Sequence, residues 1–398
     1  MVAQTRRRLA PLALAKGAAL RCERSARPAW SGPSPPVRSP AAPRPLIVAS
    51  VSLRNFRSYE SLDLELEPGL VLAVGPNGAG KTNLLESLHV GTQGFSPRTR
   101  SDRELIRFGS EAAKVSLAGT RSKSRLEVSI SLSTTAARRA TLNGARLQTA
   151  EQLRREVATL VFTPDRLAIV KGGPAARRAY FDRVLGRLQP ARASLAAEYG
   201  AAVAQRNAAL RRAAAGFSAR DAIAPWTERV ATLGAELVIA REQILGALRP
   251  RFAECAGELG LPEAGLVYEG EPPLPEQLEA RLERDLERGT TSVGPHLDDV
   301  RLVAGERDLR SYGSQGEQRL TVLSLLLAEA ELLTEQRDTP PLLLLDDVLS
   351  ELDPGRRRVL AARVQGVGQT LVTATQRSAL PGEPAQLLEV SPGEARTA

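Results

Sequence analysis

The chain has 398 residues, 42% of them hydrophobic, and a formal net charge of +9, so it can bury a sizeable core and hold two domains. No stretch approaches the roughly 20 consecutive apolar residues of a bilayer span, which makes a soluble, cytoplasmic protein the expectation. Cys22 and Cys255 are far apart and outside any C-x-x-C pair, so neither a disulfide framework nor a zinc site is indicated.

The charge is not evenly spread. Residues 1–46 hold nine basic side chains against Glu23 alone and so carry +8 of the +9. A nucleic-acid surface on the rest of the chain must therefore be a local patch. Residues 1–46 are rich in Arg, Pro, Ala and Ser, include Pro35-Pro36, and lack a sustained apolar period. Such a segment buries too little to offset its ordering entropy. It reads as a disordered basic extension, or as sequence upstream of a misplaced start; a transit peptide and a nucleic-acid-binding arm are the competing readings.

Patterning begins at Leu46. Val51 and Leu53, then Leu62, Leu64 and Leu66, alternate with polar residues as half-buried strands do. Pro68-Gly69 is a turn, and Leu70 to Val74 is a short apolar run that reads as a buried strand. Leu126, Val128, Ile130 and Leu132 alternate again, and Asn143-Gly144 is a hairpin turn. From about Arg177 to Glu287 the texture becomes helical, with apolar residues such as Leu185, Leu188, Leu195, Tyr199, Val203 and Leu210 at helical spacing. The reading is an α/β domain with a mixed sheet, formed by residues 47–176 and 288–393, into which a mainly helical lobe of about four helices, residues 177–287, is inserted.

Gly75-Pro76-Asn77-Gly78-Ala79-Gly80-Lys81-Thr82 fits G-x-x-x-x-G-K-[ST] between that buried strand and a helical run, which is the context a phosphate loop needs. Its glycines let backbone N–H groups converge on phosphate oxygens, and the helix N-terminus adds partial positive charge. ATP and Mg²⁺ are the expected ligands, with Lys81 on the β- and γ-phosphates, Thr82 on the metal, and Asn83 completing the cradle. A chance glycine turn is disfavoured because the chain has only five lysines. Leu342 to Leu345 read as a strand buried on both faces, and Asp346-Asp347 follow at its carboxyl end. Asp346 is the candidate second metal ligand, and Asp347 the candidate base for the attacking water.

Ser314-Gln315-Gly316-Glu317-Gln318, ahead of a long helix and about 30 residues before the paired acids, resembles the L-S-G-G-Q signature of ABC-type ATPases. Ser350-Glu351-Leu352-Asp353 looks like their D-loop. Further stretches narrow the resemblance: Leu53 to Tyr59; Val161 to Asp165 with Lys171 to Pro174, Arg177-Arg178 and Phe181-Asp182; Gln205-Arg206-Asn207; and Ser292 to Asp299. Over residues 47–393 the chain resembles the RecF family of DNA replication and repair ATPases. That resemblance implies an ABC-type P-loop head, Ser314 and Gly316 acting on the γ-phosphate held by a second copy, and a homodimer closed by ATP on gapped, single-stranded or duplex DNA. It also implies slow, DNA-stimulated hydrolysis, RecR and RecO as partners, and RecA loading as the outcome.

Leu297 stands where the family commonly has Arg. Glu317 stands where the signature has Gln, and is expected to bring a carboxylate close to the γ-phosphate. His296 is assigned a structural role. Arg98, Arg100, Arg103 and Arg107 are candidates for DNA phosphates, diluted by Asp102 and Glu104. A transporter ATPase is disfavoured by the 265 positions between Lys81 and Asp346 and by the lack of a switch histidine near Thr375. A long coiled-coil ATPase is disfavoured by the short insertion without a C-x-x-C hook. A scaffold that binds nucleotide without hydrolysing it is the non-enzymatic alternative.

Overall fold

The computed structural model describes residues 46–398 apart from 122, 123, 366 and 367. The basic extension expected over residues 1–46 lies outside the described residues except for Leu46. The described residues form two six-stranded sheets and one three-stranded sheet.

The first sheet is antiparallel and runs β2 (Tyr59–Glu65), β1 (Leu46–Phe56), β4 (Ala112–Arg121), β5 (Ser124–Ser133), β6 (Arg139–Leu142), β7 (Ala145–Arg146). The expected turn is there: Asn143 and Gly144 adopt φ of 48° and 81° between β6 and β7, the left-handed pair that a tight hairpin requires.

The second sheet runs β15 (Glu394–Thr397), β14 (Gln386–Ser391), β3 (Leu70–Val74), β13 (Thr370–Ala374), β12 (Leu342–Leu345), β8 (Thr159–Phe162). All its pairings are parallel except that of the edge strand β15. Along β12 the side chains divide between two cores. Leu342 and Leu344 join the first sheet and the phosphate-loop helix, whereas Leu343 and Leu345 join the long helices on the opposite face. This two-sided burial is why the strand is an unbroken leucine run.

The phosphate-loop helix, Lys81–Gln93, packs against strands of both six-stranded sheets and is buried over most of its length. Gly91 makes the close approach possible, since a Cβ there would lie 2.5 Å from Leu117 of β4.

On the other face lie the helices Pro174–Leu188, Leu195–Ala214, Ala224–Glu258 and Gln315–Arg337. Their apolar residues share one core with the parallel sheet. Within the segment expected to be helical there are three long helices and two short ones, Pro275–Ala280 and Leu282–Arg288, but also a strand, β9 (Ala264–Glu269). β9 pairs antiparallel with β10 (Asp299–Ala304), whose other neighbour is β11 (Arg307–Asp308). It is short and buries only Ala264 and Leu266, too few positions for an alternating pattern to stand out between long helical stretches. Only pairing with β10 defines it.

Buried ion pairs tie these helices to one another and to β10. Arg177 meets Asp299 at 2.6 Å, and Arg241 meets Asp182 at 2.8 Å while donating to the Pro295 carbonyl. Arg206, with no exposed side-chain surface, donates to the equally buried Asp285 at 2.7 Å and to the hydroxyls of Thr227 and Thr291 at 3.0 Å. Asn207 accepts from both the backbone N–H and the hydroxyl of Thr291. Removing one partner of such a pair strands the other's charge in the interior, so Arg206→Ala is expected to lower unfolding free energy by about 3–5 kcal/mol. Urea melts with an unchanged slope would register this as a lower midpoint; a loss below about 1 kcal/mol would show that the pair does not brace the fold.

Candidate nucleotide site

Residues 75–80 leave the carboxyl end of β3 and curl over the start of the phosphate-loop helix. The glycines are sterically required: a Cβ on Gly75 would lie 2.2 Å from the Val390 carbonyl oxygen, and Gly80 sits at φ 107°. Ala79 is buried beneath the loop. Tyr59 donates its hydroxyl to the Gly80 carbonyl at 3.1 Å, and Asn83 donates to Ser58 Oγ at 3.0 Å, so β2 and the turn before it brace the loop from the side. Lys81 Nζ donates to the Gly75 and Pro76 carbonyls at 2.7 and 2.9 Å. Burial pulls its pKa down, while Asp347 and Asp346 oppose the shift.

The paired acids return to this loop from 264 positions away. Thr82 Oγ1 lies 3.1 and 3.0 Å from the two carboxylate oxygens of Asp346. Asp346 also accepts from Thr373 Oγ1 at 2.7 Å, and burial pushes its pKa up. Asp347 has φ 49°, donates its N–H to the same Thr373 hydroxyl at 2.9 Å, and keeps Oδ1 buried without a hydrogen-bond partner.

A cleft of about 250 Å³ is lined by Asn77, Gly78, Gly80, Lys81, Thr82 and Asn83 together with Asp346 and Asp347. Gly75 and Pro76 line the neighbouring cavity on the other side of the loop, with Thr375 to Arg377. A hydroxyl and a carboxylate converging at this spacing suit a small hard cation, which takes one or two protein oxygens and completes its shell with phosphate and water.

Two residues of the cleft carried no nucleotide role in the sequence reading. Thr373 left only the trace of a hydroxyl near the end of an apolar strand. Arg98, considered there for DNA, also lines the cleft and donates to Asn83 Oδ1 and Glu86 Oε2 at 3.3 Å. Glu86 is fully buried and is held as well by Arg57 at 2.9 Å and Ser96 at 2.6 Å.

Residues 47–396 match the family described as the RecF/RecN/SMC N terminal domain. The DNA replication and repair protein RecF of Anaeromyxobacter dehalogenans is 38% identical over 351 residues, 82% of this chain and 92% of that protein. The chain belongs to the RecF family. RecF of Heliobacterium modesticaldum is 33% identical over 350 residues, 84% of this chain and 94% of its own length. Among solved structures, the recombination mediator protein RecF-ATP of the RecFOR pathway superposes with a TM-score of 0.80 at 26% identity, covering 91% of this chain and all of that one. The Smc head domain from Pyrococcus furiosus, at TM-score 0.56 and 17% identity over 89% of this chain and 96% of that one, shares the fold.

The RecF-like stretches beyond the phosphate loop are occupied structurally. Arg177, Arg178 and Asp182 anchor the inserted helices, and Asp298 and Asp299 receive them from the other side. His296 has both ring nitrogens engaged, by the Tyr199 hydroxyl and the Thr291 carbonyl. Leu297 projects to the surface, 56% exposed.

Ser314 and Gly316 do not line the cleft of their own chain. Ser314 caps the helix Gln315–Arg337: its Oγ accepts the Glu317 N–H at 3.2 Å, and Glu317 Oε2 accepts the Ser314 N–H at 2.7 Å. The other Glu317 oxygen meets Arg307 at 2.9 Å, and the Arg307 guanidinium holds the carboxyl below its ordinary pKa. Both oxygens of Glu317 thus have local partners. Gln can play the same part in a capping box, so Glu317→Gln should leave the thermal midpoint nearly unchanged, whereas Glu317→Ala should lose about 0.3–1.5 kcal/mol. Equal destabilisation by the two substitutions would show that the cap is not what the side chain supports.

Proposed function

We propose that the chain is a slow ATPase of DNA replication and repair in which ATP closes two copies into a dimer on DNA and hydrolysis opens it again. The observation that carries this reading is the 3.0–3.1 Å approach of the Thr82 hydroxyl to both Asp346 oxygens, which joins the phosphate loop and the paired acids in one cleft. The names of its relatives, a DNA replication and repair protein and a RecF-ATP complex, point the same way.

In this reading the backbone N–H groups of the loop that are free to donate, among them those of Asn77, Gly78 and Gly80, and the helix N-terminus grip the phosphates. Lys81 exchanges the Gly75 and Pro76 carbonyls for the β- and γ-phosphate oxygens, and Asn83 steadies the loop. Thr82 and Asp346 hold Mg²⁺, which neutralises phosphate charge when bound. Asp347, with an unpartnered buried oxygen facing no competing donor, orients the attacking water and takes its proton. Ser314 and Gly316, outside their own cleft, reach the γ-phosphate of a second copy. The site is therefore complete only in the dimer, and turnover acts as a timer on a two-state assembly. DNA stimulates it, RecR and RecO are its partners, and RecA loading is the outcome.

The same proposal assigns residues 47–176 and 288–393 to the ATPase head, residues 177–287 to the inserted lobe, and residues 1–46 to a basic extension. It places the protein in the cytoplasm; no helix among the described residues is long and apolar enough to cross a membrane.

Two substitutions separate the switch from the chemistry. Lys81→Ala should abolish ATP-dependent dimerisation and DNA binding. Asp347→Asn should still dimerise on DNA with ATP but hydrolyse it about 10²- to 10⁴-fold more slowly, the usual worth of a positioned base. Sedimentation with and without ATP, followed by phosphate release, reads both. ATP-dependent dimers of Lys81→Ala would overturn the switch, and parental turnover in Asp347→Asn would remove that residue from the chemistry.

A further inference from the structure

Past the carboxyl end of β8, the strand beside β12, lies a further cavity of about 510 Å³ whose wall carries Arg98, Arg100, Arg166, Arg183 and Arg187 against a single acid, Asp165. Part of that wall is apolar, formed by Ile169 and nearby alanines. Arg187 is paired through Nε with Glu329, but its Nη2 is buried with no acceptor. Glu329 itself is taken up between Arg187 and the Tyr180 hydroxyl. No hydrogen bond or ion pair engages the guanidinium groups of Arg100, Arg166 or Arg183 among the described residues. Burial, then the fields of Arg187 and Arg183, pull the pKa of Arg166 down to about 10.

Like charges gathered on a partly apolar wall repel one another unless an anion joins them. Guanidinium forks fit phosphate oxygens bidentately. Arg98 also borders the nucleotide cleft and another cavity of about 750 Å³, lined by Arg57, Arg103, Arg107 and the fully exposed Phe108 together with Glu104 and Glu111; Arg57 is paired with Glu86 and Arg107 with Glu60. Arginine lining, diluted by acids in this cavity, thus extends across two cavities that meet at Arg98, a reach that suits a polyanion better than a single free anion, and the exposed aromatic ring beside it suits an unpaired base.

We propose that the arginine-lined cavity beyond β8 is a phosphate site for the DNA backbone, continued past Arg98 towards Phe108. This rests on the DNA-binding reading above and adds the residues that carry it.

The test uses the full chain with a non-hydrolysed ATP analogue and gapped DNA, with affinity measured by anisotropy at several salt concentrations. Arg183 is exposed and Arg166 partly so, and neither has a partner to lose, so Arg166→Ala, Arg183→Ala and the double variant should fold; thermal midpoints check this. The double variant should bind DNA about tenfold more weakly, with the salt slope reduced by about one for each phosphate no longer engaged, while analogue affinity is unchanged. Arg183→Lys, which keeps the charge, should recover part of the loss. The proposal is overturned if the parent binds DNA and the double variant matches it in affinity and slope. It is equally overturned if analogue affinity falls in step, if calorimetry shows inorganic phosphate binding abolished with DNA binding unmoved, or if only binding of a partner protein is impaired. A parent that binds no DNA with nucleotide present would sink the functional proposal itself, and this one with it.

Discussion

Strand β13 lies between the strand that leads into the phosphate loop and the strand that ends in the paired acids, and one hydroxyl on it governs their geometry. Thr373 Oγ1 donates to Asp346 at 2.7 Å and accepts the Asp347 N–H at 2.9 Å, so both its functions are used. The first bond aims the Asp346 carboxylate at Thr82. The second holds the turn in which Asp347 takes φ 49°, a conformation that Asp tolerates and β-branched residues resist. The parallel register sets the height at which these groups meet, since Leu345 pairs with Val372, and Thr373 with Ala73 of the strand entering the loop. A slip of one residue along β13 would turn the hydroxyl to the opposite face of the sheet. The strain of the left-handed Asp347 and its orphaned oxygen is thus held by a sheet buried on both faces, the usual way in which functional sites keep unfavourable local geometry.

The long helices obey a different constraint. Their cationic anchors, Arg177, Arg206 and Arg241, are nearly or fully buried, and each finds a carboxylate from a distant segment. Such pairs add little net stability over apolar packing, but mispairing them is costly, so they fix which helix meets which helix and, through Arg177 and Asp299, which helix meets β10. The helix capped by Ser314 carries Arg319, paired with Glu351 of the turn after the paired acids, and further along Glu329, which holds Arg187 of the arginine cavity. One rigid element therefore touches the proposed trans-acting cap, the turn after the paired acids, and the proposed DNA site.

The parts legible in the sequence were those where several physical demands fall on the same residues. The phosphate loop needs glycine at fixed places, and the acid strand needs leucine on both faces, so both are visible without tertiary information. The Asn143-Gly144 hairpin is legible for the same reason. The strand β9 was not, because six residues with two buried side chains leave too short an alternation, and pairing with β10 is what defines it. The cap that Glu317 makes with Ser314 is implicit in S-x-x-E, but its second partner, Arg307 of β11, is not. Thr373 and the burial of Glu86 depend on contacts between strands and helices far apart in sequence. No local pattern announces them.

Arg98 lies between the nucleotide cleft and the proposed DNA site. It is held by Asn83 and by Glu86 of the phosphate-loop helix, yet its side chain borders the nucleotide cleft and both basic cavities. Glu86 cannot follow it, being buried and already fixed by Arg57 and Ser96. A DNA phosphate that draws Arg98 outward must therefore weaken its bonds to Asn83 and Glu86, and a nucleotide that reorders Asn83 must change how freely Arg98 can leave. Differential contacts of this kind are what an equilibrium coupling between two ligands needs. Whatever factor ATP applies to DNA affinity, DNA must return to ATP affinity, with Arg98 as the side chain through which the structure can transmit it.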